Sequence, residues 1–460
     1  MITYAGFDEL IARVYAHRQD HVFEYWGELI DAERRELLND LTGIDFEGLQ
    51  SLFSQTRRSD AVAGEFGPAP FIPIPKTDDE NAQRAQAREA GIAHIRSRKV
   101  AAFLVAGGQG TRLGYDGPKG KFPVSPVAGK TLFQIHAEKV LASSRAYGVD
   151  IPWLIMTSIA NHEETETFLE EHDYFGIRET LVHVFPQNLI PSLDANGKLV
   201  LESKNRIFKN PDGHGGSLTA LKTSGALDFL AEHGIETLSY FQVDNPLVRV
   251  IDPDFIGYHV LNTADVSSKA VTKAGPEEKV GVFVRLPNGA YGVVEYSDMT
   301  HEQQHLQDCS GALVYAMGNI AIHLFSVEYI RRLTAGGAIE LPYHVARKKI
   351  KSLRAGAPAE IDGFKFEKFV FDAIPLAERS IVFETSRDEE FAPVKNRTGV
   401  DSVDTAREMM SALFRSWLAA RGISVPPGVR AIEISPLLAL GPDDLPADLA
   451  VPDRPDVYLS

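Results

Sequence analysis

The sequence has a single cysteine, Cys309, among 460 residues. One cysteine cannot form an internal disulfide, which is typical of a protein that works in a reducing compartment. We interpret Cys309 as a small buried apolar residue. Long apolar runs are missing too, and the first residues lack the basic start and apolar stretch of a signal peptide. These absences predict a soluble cytoplasmic protein that does not bind a membrane.

The sequence also lacks an excess of positive charge. The chain has 47 Lys and Arg residues against 63 Asp and Glu residues, a formal net charge of −16. Such a surface repels the phosphate backbone of nucleic acids, so we expect no general nucleic-acid binding. An anionic ligand would need a locally positive pocket. The length allows more than one domain, and the apolar fraction of 44% is ordinary for a globular protein.

Apolar spacing predicts the order of the elements. Residues 4–53 place apolar side chains at three-to-four spacing, which predicts helices, and the Pro-rich stretch 66–76 is typical of a linker. Two alternating runs around Asn288-Gly289 predict a β-hairpin over 282–296. The Pro-rich end from residue 425 is predicted to be irregular.

Between these parts, helical patterns alternate with short apolar runs. The predicted helices are 81–97, 163–171 and 252–262, and the predicted strands are 100–106, 153–156 and 237–243. This alternation is typical of an α/β fold with a mostly parallel sheet flanked by helices. Ligands in such folds bind beyond the carboxyl ends of the strands.

The most informative segment joins a predicted strand to a glycine-rich turn that carries two cations. It reads Leu104-Val105-Ala106-Gly107-Gly108-Gln109-Gly110-Thr111-Arg112-Leu113-Gly114 and is followed by Pro118-Lys119-Gly120. Glycines let the backbone approach a ligand closely, and consecutive free N–H groups bind anions. Arg112 and Lys119 add positive charge where phosphates would lie. The segment predicts a binding loop for a nucleoside triphosphate.

Two commoner glycine-rich loops do not fit. A Walker A loop needs Ser or Thr after Gly-Lys, but Phe122 follows Lys121. The dinucleotide fingerprint needs a glycine where Leu113 stands, and Gly114 comes one residue late. An NAD-linked oxidoreductase is therefore a distant alternative, and a tight turn without a ligand is a minor one.

Two other positions are candidates for chemistry. Asp244 follows a predicted strand, where a carboxylate is suited to Mg²⁺, although a turn or helix-cap role is an equal alternative. Pro211-Asp212-Gly213-His214-Gly215-Gly216 is a second glycine-rich turn that brings backbone close to a base or sugar, unless it is a plain surface turn. His214 has no partner at metal-ligand spacing, which excludes a zinc site there.

The glycine loop, with further segments in the same order, resembles the UDP-sugar pyrophosphorylases, and most closely the eukaryotic-type UDP-N-acetylglucosamine pyrophosphorylases. The other matching segments are 131–135, 155–158, 211–213, 243–245, 293–297, 318–321, 367–372 and 394–396. The resemblance implies a Rossmann-like nucleotidyltransferase core over residues 98–397. It also implies an N-terminal helical portion with a linker over 1–97 and a small C-terminal domain over 398–460.

The resemblance also implies a role for each matching residue. The implied uracil contacts are Gly107, Gly108, Gln187 and Gly213. The implied catalytic cations are Arg112 and Lys119 at the triphosphate and Lys395 at the phosphate near the sugar. The implied ligand of Mg²⁺ is Asp244, and the implied sugar contacts are Gly281, Glu295 and Asn319. Spacing alone does not predict Gln187, Asn319 or Lys395.

Three positions depart from the family pattern. His214 stands where the acetylhexosamine enzymes usually have Asn, and a Gly-His-Gly turn is more similar to UDP-glucose and broad-specificity enzymes. Pro186 and Ile322 also replace usual polar residues. His214 is therefore a further candidate substrate-binding residue that selects the sugar, since one contact shifts discrimination by about 1–3 kcal/mol.

The predicted function is transfer of uridylate from UTP to a hexose 1-phosphate, which yields a UDP-sugar and pyrophosphate, and the expected acceptor is N-acetylglucosamine 1-phosphate. The predicted mechanism is in-line attack on the α-phosphorus with Mg²⁺. A UDP-glucose or broad-specificity enzyme stays open as an alternative. A non-catalytic UDP-sugar-binding regulator also stays open, although such a protein has no need of the charged residues Arg112, Lys119, Asp244 and Lys395. The oligomeric state is open, with a monomer favoured.

Overall fold

The computed structural model describes residues 1–55, 65–336, 341–354 and 356–460. Several helices begin where a side-chain oxygen accepts an N–H of the first turn, as at Thr77, Thr131 and Asp252. The helices are α1 (Asp8–Ala16), α2 (Asp31–Thr42), α3 (Phe46–Gln55), α4 (Asp78–Arg96), α5 (Leu132–Tyr147), α6 (His162–Glu171), α7 (Gly216–Thr223), α8 (Ala226–Glu232), α9 (Pro253–Leu261), α10 (His301–His305), α11 (Val327–Thr334), α12 (Arg387–Glu390) and α13 (Val403–Ala420). Among the described residues, no helix combines the length and apolarity needed to cross a bilayer.

Strands form mainly where short runs carry β-branched and aromatic residues, which pack well on a pleated surface. The strands are β1 (Gly67–Pro68), β2 (Val100–Val105), β3 (Trp153–Thr157), β4 (Val182–Pro186), β5 (Leu189–Pro191), β6 (Leu193–Asp194), β7 (Leu201–Ser203), β8 (Arg206–Ile207), β9 (Lys209–Pro211), β10 (Thr237–Gln242), β11 (Val266–Thr272), β12 (Val282–Arg285), β13 (Tyr291–Val294), β14 (Met317–Ser326), β15 (His344–Arg354), β16 (Ala357–Glu367), β17 (Ser380–Glu384), β18 (Ala431–Ile434) and β19 (Asp456–Leu459).

The elements predicted around the glycine loop are confirmed. The three predicted strands correspond to β2, β3 and β10, and the three predicted helices to α4, α6 and α9. α4 begins at Asp78, earlier than predicted, because Thr77 and Glu80 exchange side-chain-to-backbone hydrogen bonds in a capping box. The predicted hairpin is confirmed as β12 paired with β13.

The Pro-rich segment 66–76, predicted to be a linker, is hydrogen-bonded to a sheet. β1 pairs with β12, and the N–H of Ile72 donates to the carbonyl of Val382 at 2.8 Å. Proline has no N–H to give to a ladder, so a Pro-rich segment is tolerated at the edge of a sheet. The segment is therefore held against the sheet by backbone hydrogen bonds and is not a free connection.

Two other sequence predictions were wrong. Cys309 is exposed, because it lies in a surface turn in which Asp308 Oδ1 accepts the N–H of Ser310 at 2.8 Å. The C-terminal end is not irregular throughout, since β18 and β19 pair in parallel. The N–H of Ile432 on β18 also donates to Ser411 Oγ on α13 at 2.9 Å, which attaches this pair to the preceding helix.

The chain divides into two compact units. Unit 1 consists of Met1–Val62, Asn188–Gly216 and Glu340–Val370, and unit 2 of Ala63–Gln187, Ser217–Ile339 and Phe371–Ser460. The three-part division predicted from the sequence, with bounds at 97 and 397, stays a prediction.

Unit 1 combines the N-terminal helices with small antiparallel sheets. Its largest sheet has the strand order β15-β16-β6. Apolar residues of the helices and strands share one core, which includes Ile11, Val14, Leu37, Leu41, Ile190, Leu199 and Phe366. Lys209 Nζ lies 2.7 Å from Asp40 Oδ1 and ties β9 to α2. The N-terminal helices therefore pack against later parts of the chain.

Unit 2 is built on a mixed sheet. Within the described residues this sheet has ten strands in the order β1-β12-β14-β10-β2-β3-β4, with β13 beside β12, β11 beside β14, and β17 beside β11. Its centre, β10-β2-β3-β4, is parallel, whereas β14 runs antiparallel to β10. Every residue of β2 is buried, as expected for a central strand between two helical layers. The predicted α/β fold is confirmed.

The order of the central strands locates the candidate site. From β2 the chain proceeds outward through β3 to β4 and then returns to β10 on the other side of β2. β2 and β10 pair in parallel, with Val105 opposite Gln242. Their carboxyl ends therefore lie side by side at a topological switch point, where ligands bind in open α/β sheets.

Candidate active site

The glycine loop leaves β2 with several backbone donors unpaired. The N–H of Lys119 donates to the carbonyl of Gly108 at 3.0 Å, and the N–H of Gly110 donates to the carbonyl of Gly117 at 2.9 Å, which closes the loop. No acceptor in the described part of the chain receives the N–H groups of Gly107, Gly108 or Gln109. Such a row of free donors is suited to phosphate or carbonyl oxygens. The predicted role of the loop in binding a triphosphate requires such donors, and that role stays a prediction.

Gly107 and Gln187, both predicted to contact a uracil, lie together. Gln187 follows β4, is 7% exposed, and its N–H donates to the carbonyl of Thr157 at 2.8 Å. A Cβ placed on Gly107 would lie 3.0 Å from Gln187 Oε1. The side chain of Gln187 therefore borders the backbone of the loop, and glycine at 107 leaves room for it.

Lys119 and Asp244 form an ion pair at the switch point. Lys119 Nζ lies 3.3 Å from Asp244 Oδ2, and the two side chains are 14% and 16% exposed. Asp244 is placed there by β10, since the N–H of Val243 donates to the carbonyl of Val105 at 3.0 Å. The pair joins the cation predicted for the triphosphate to the carboxylate predicted for the metal.

The other two predicted catalytic cations, Arg112 and Lys395, are placed differently. Arg112 is exposed in a single 3₁₀ turn of the glycine loop, and no described residue forms an ion pair with it. Lys395 follows Val394, whose N–H donates to the carbonyl of Asp244 at 2.8 Å. The side chain of Lys395 is 45% exposed, and its Nζ lies 3.3 Å from Asp401 Oδ2.

The three residues predicted to hold the sugar also lie together in unit 2. The N–H of Asn319 donates to the carbonyl of Gly281 at 2.8 Å. A Cβ on Gly281 would lie 2.8 Å from Glu295 Oε1. Gly281 precedes β12, Glu295 follows β13, and Asn319 lies on β14. The hairpin β12–β13 and its neighbour β14 therefore bring a carboxylate and an amide to one place.

An irregularity in β14 orients Asn319. Ser268 pairs with His323 and Ala270 with Asn319, so β14 carries extra residues at this point. Ala321 within the bulge has a φ of 56°, a left-handed conformation that costs energy in a non-glycine residue. Asn319 Oδ1 accepts the N–H of Ala321 at 3.0 Å, which supports the bulge. Bulges of this kind re-aim side chains next to binding sites.

Gly213 and His214 belong to unit 1. A Cβ on Gly213 would lie 2.4 Å from the carbonyl oxygen of Lys368, and φ at Gly213 is +84°, so the turn requires glycine. The N–H of Val370 donates to His214 Nδ1 at 3.2 Å, and the imidazole stacks on Phe369. Burial, with a smaller effect of His344, lowers the pKa of His214 to about 4. The imidazole is therefore neutral near pH 7 and carries its proton on Nε2.

Some residues that shape the site were missed by the sequence reasoning. Asn161 hydrogen-bonds to the carbonyls on either side of Gly107. His136 Nε2 donates to the carbonyl of Val243 at 3.1 Å, directly before Asp244, and burial lowers the pKa of His136 to about 3. Arg397 lies beside the glycine loop, since its Nη1 would be 3.4 Å from a Cβ placed on Gly114. Only Arg397 had a signal in the sequence, its position after Lys395; the other two act through contacts between distant segments.

Comparisons with known proteins identify relatives that match most of the chain. The profile of the family described as UTP–glucose-1-phosphate uridylyltransferase matches residues 64–422. A protein from Arabidopsis thaliana named UDP-N-acetylglucosamine diphosphorylase 2 is 35% identical over 95% of this chain and 91% of its own length. A protein from Homo sapiens named UDP-N-acetylhexosamine pyrophosphorylase-like protein 1 is 35% identical over 91% of this chain and 86% of its own.

The fold has a close counterpart among solved structures. The uridine diphosphate N-acetylglucosamine pyrophosphorylase from Trypanosoma brucei, solved in complex with an inhibitor, superposes with a TM-score of 0.82 at 29% identity. The superposition covers 96% of this chain and 95% of that chain. The Arabidopsis relative and the solved structure thus match nearly the whole chain, and the family profile matches residues 64–422. The chain belongs to the UTP–glucose-1-phosphate uridylyltransferase family and is a nucleotidyltransferase of the UDP-sugar pyrophosphorylase type.

Proposed function

We propose that the protein transfers the uridylyl group of UTP to N-acetylglucosamine 1-phosphate and releases pyrophosphate. The observation that carries this proposal is the Lys119–Asp244 pair beside the unpaired N–H groups of the glycine loop. A cation, a carboxylate and free backbone donors at one switch point match the needs of a metal-bound triphosphate. The relatives with acetylhexosamine names support the choice of sugar.

The residues of the chain act by positioning and by charge. An oxygen of the sugar 1-phosphate, already anionic at pH 7, attacks the α-phosphorus of UTP in line with the departing pyrophosphate, so no general base is needed. Arg112 and Lys119 offset the charge of the triphosphate, and Lys395 offsets the charge of the sugar phosphate. Glu295 and Asn319 hold the sugar, and Gly107 and Gln187 hold the uracil.

The site also fits a divalent cation, which we propose to be Mg²⁺. Asp244 presents one carboxylate at the end of β10, only 16% exposed and 3.3 Å from a lysine. Mg²⁺ takes oxygen ligands and usually binds through one or two carboxylates together with substrate phosphates, so a single aspartate is sufficient. When bound, the metal neutralises phosphate charge and lowers the repulsion between the two anionic substrates.

A UDP-glucose or broad-specificity enzyme is the second candidate, and His214 is the observation that favours it. Its Nε2–H donor replaces the amide that the acetylhexosamine enzymes usually carry in this turn. In His214 the acceptor Nδ1 receives the N–H of Val370 and Nε2 carries the donor, whereas an amide carries a donor and an acceptor at one end of its side chain, so the two residues present different groups to a substrate. A comparison of the two sugar phosphates as substrates therefore distinguishes the two candidates.

We also propose a monomer in the cytoplasm that has neither nucleic acid nor membrane as a partner. The single exposed cysteine, Cys309, supports a reducing compartment, and the net charge of −16 disfavours nucleic acid. Light scattering of the purified chain tests the oligomeric state.

Pyrophosphate release by the purified protein tests the function. UTP and Mg²⁺ are supplied with N-acetylglucosamine 1-phosphate or with glucose 1-phosphate, and Lys119→Ala is expected to release pyrophosphate far more slowly. Faster release with the acetylated sugar supports the proposal, and faster release with glucose 1-phosphate selects the alternative. Binding of the UDP-sugar without any release from either sugar phosphate would point to a non-catalytic regulator.

A further inference from the structure

The side-chain amide of Asn161 makes all of its hydrogen bonds to the glycine loop and to Ser158. The residue is 1% exposed. Its Nδ2 donates to the carbonyls of Ala106 at 3.1 Å and Gly108 at 3.3 Å. Its Oδ1 accepts the N–H of Ser158 at 2.7 Å and the hydroxyl of Ser158 at 2.9 Å. Every donor and acceptor of the side chain is therefore satisfied.

This arrangement is not the usual one for an asparagine in its place. Asn161 is the N-cap residue of α6, where an Asn side chain normally accepts an N–H of the first helical turn. No such bond forms here, because the side chain faces the glycine loop instead. α6 therefore has no side-chain cap at its N-terminus, and the amide of Asn161 connects the loops that follow β2 and β3.

The two carbonyls held by Asn161 decide where the neighbouring N–H groups point. In a trans peptide the carbonyl and the following N–H lie on opposite sides of the chain. Anchoring the carbonyls of Ala106 and Gly108 to Asn161 therefore turns the N–H groups of Gly107 and Gln109 away from it. In the part of the chain that the structure describes, these are N–H groups that no acceptor receives.

The hydrogen bonds from Asn161 also bear on two groups of the proposed mechanism, Lys119 and Gln187. The carbonyl of Gly108 also accepts the N–H of Lys119 at 3.0 Å, so it is shared between Asn161 and the residue that bears the catalytic cation. A Cβ on Gly107 would lie 3.0 Å from Gln187 Oε1 and 3.5 Å from the nitrogen of Ser158. Asn161 thus fixes Gly107 against both the uracil-binding side chain and the end of β3.

We propose that Asn161 is a positioning residue for nucleotide binding: it holds the peptides around Gly107 so that their N–H groups and the Gln187 amide together recognise the uracil and phosphates of UTP. This inference rests on the proposed function. Asn161 itself contacts neither substrate nor metal; it acts through the orientation of the loop.

Asn161→Asp is the sharpest test. The substitution preserves shape and leaves an N-cap residue as good as Asn, so the helix is not weakened. However, it replaces the NH₂ group, which carries both donors, by one carboxylate oxygen that faces the two carbonyl oxygens, and the loop must move. We expect the KM for UTP to rise about tenfold and the preference for UTP over CTP to fall, with the KM for the sugar 1-phosphate little changed.

Two control variants separate positioning from general damage. Leu169→Ala creates a cavity under the same helix, where Leu169 is fully buried, and should lower the melting temperature while leaving the UTP-to-CTP ratio unchanged. Asn262→Asp makes the same chemical change at an exposed asparagine whose Nδ2 donates to Tyr258, and should change neither quantity. An Asn161→Asp enzyme with the UTP KM and the UTP-to-CTP ratio of the parent would overturn the proposal.

Hydrogen–deuterium exchange provides a readout that does not depend on turnover. Loss of the two hydrogen bonds from Asn161 Nδ2 should speed amide exchange in peptides that span 106–119 in Asn161→Asp. Leu169→Ala, which keeps these bonds, should not show this change. If the parent protein shows no transfer from UTP, the proposed function fails, and exchange still decides whether Asn161 positions the loop. Unchanged exchange over 106–119 would show that it does not.

Discussion

Lys119 on the glycine loop and Asp244 at the end of β10 are separated by 125 residues in sequence and by 3.3 Å between their charged groups. Both side chains are largely enclosed, so the pair is screened from water less than a surface ion pair is. Substrate phosphates and a metal would each compete for one member of this pair. The two residues therefore predict distinct defects when they are replaced one at a time.

Lys119→Ala should lower kcat by about a hundredfold or more, because the loop would lose charge that stabilises the transferring phosphates. The melting temperature should change little in comparison. Steady-state kinetics with thermal unfolding measures both quantities. Lys121→Ala is the matched control, since Lys121 Nζ pairs with Glu164 at 2.6 Å instead of Asp244. Near-normal turnover of Lys119→Ala would contradict the role.

Asp244→Asn should raise the Mg²⁺ concentration at half-maximal activity by about tenfold, because a neutral amide is a weaker ligand for a hard cation. A titration of activity against Mg²⁺ at saturating UTP measures this shift. Asp228→Asn, at an exposed position on α8, should leave the titration unchanged. An unshifted curve for Asp244→Asn would remove Asp244 as a metal ligand.

Gly281→Ala should raise the KM for the sugar 1-phosphate about tenfold and leave the KM for UTP nearly constant. The new Cβ would lie 2.8 Å from Glu295 Oε1 and 2.9 Å from Val293 Cγ1, so the carboxylate must move. Gly275→Ala is the control in the same segment, because a Cβ there meets nothing within 4 Å. Equal effects of the two variants would refute the sugar-binding role of this cluster.

His214→Asn should shift the ratio of kcat/KM for N-acetylglucosamine 1-phosphate over glucose 1-phosphate upward by about tenfold, if the imidazole selects against the acetamido group. A ratio of two substrates on one enzyme cancels any loss of active protein. A constant ratio would mean that His214 only supports the turn through its bond to Val370.

Stability should fall with acid partly through His136. Burial lowers its pKa from 6.5 to about 3, so below pH 6.5 the unfolded chain takes up a proton that the folded chain does not. The free energy of unfolding should then drop by up to about 1.4 kcal/mol per pH unit from this group alone as the pH decreases from about 6 to about 3. His136→Gln, which keeps a donor for Val243, should flatten this slope, whereas His233→Gln at an exposed position should not. Urea unfolding at a series of pH values measures the slopes.

Much of the fold could be predicted because its signals are local. Apolar runs and helical spacing located β2, β3, β10 and the helices between them, and glycines with nearby cations identified the loop after β2. Element bounds were less certain, as α4 shows, since a capping box at Thr77 extends it. Cys309 was assigned to the interior because its residue type is usually buried, but a turn stabilised by Asp308 places it on the surface.

The candidate site was predicted only in part. Residue types predicted Arg112, Lys119 and Asp244, the family resemblance added Gln187, Asn319 and Lys395, and all of these roles stay predictions. Asn161 was missed because it acts across 55 residues of sequence, and an asparagine before a helix is expected to cap that helix. The bulge at Ala321 was missed because a left-handed alanine has no signature in the sequence.

The sequence by itself determined the strand, the glycine turn and the charges of the nucleotide loop, because backbone freedom and side-chain charge are properties of neighbouring residues. Only the tertiary structure decided that Asp244 faces Lys119 and that Asn161 holds the peptides on both sides of Gly107. Both outcomes depend on the parallel pairing of β2 with β10 and with β3. The register of paired strands is set by the packing of the whole core, which no short stretch of sequence contains.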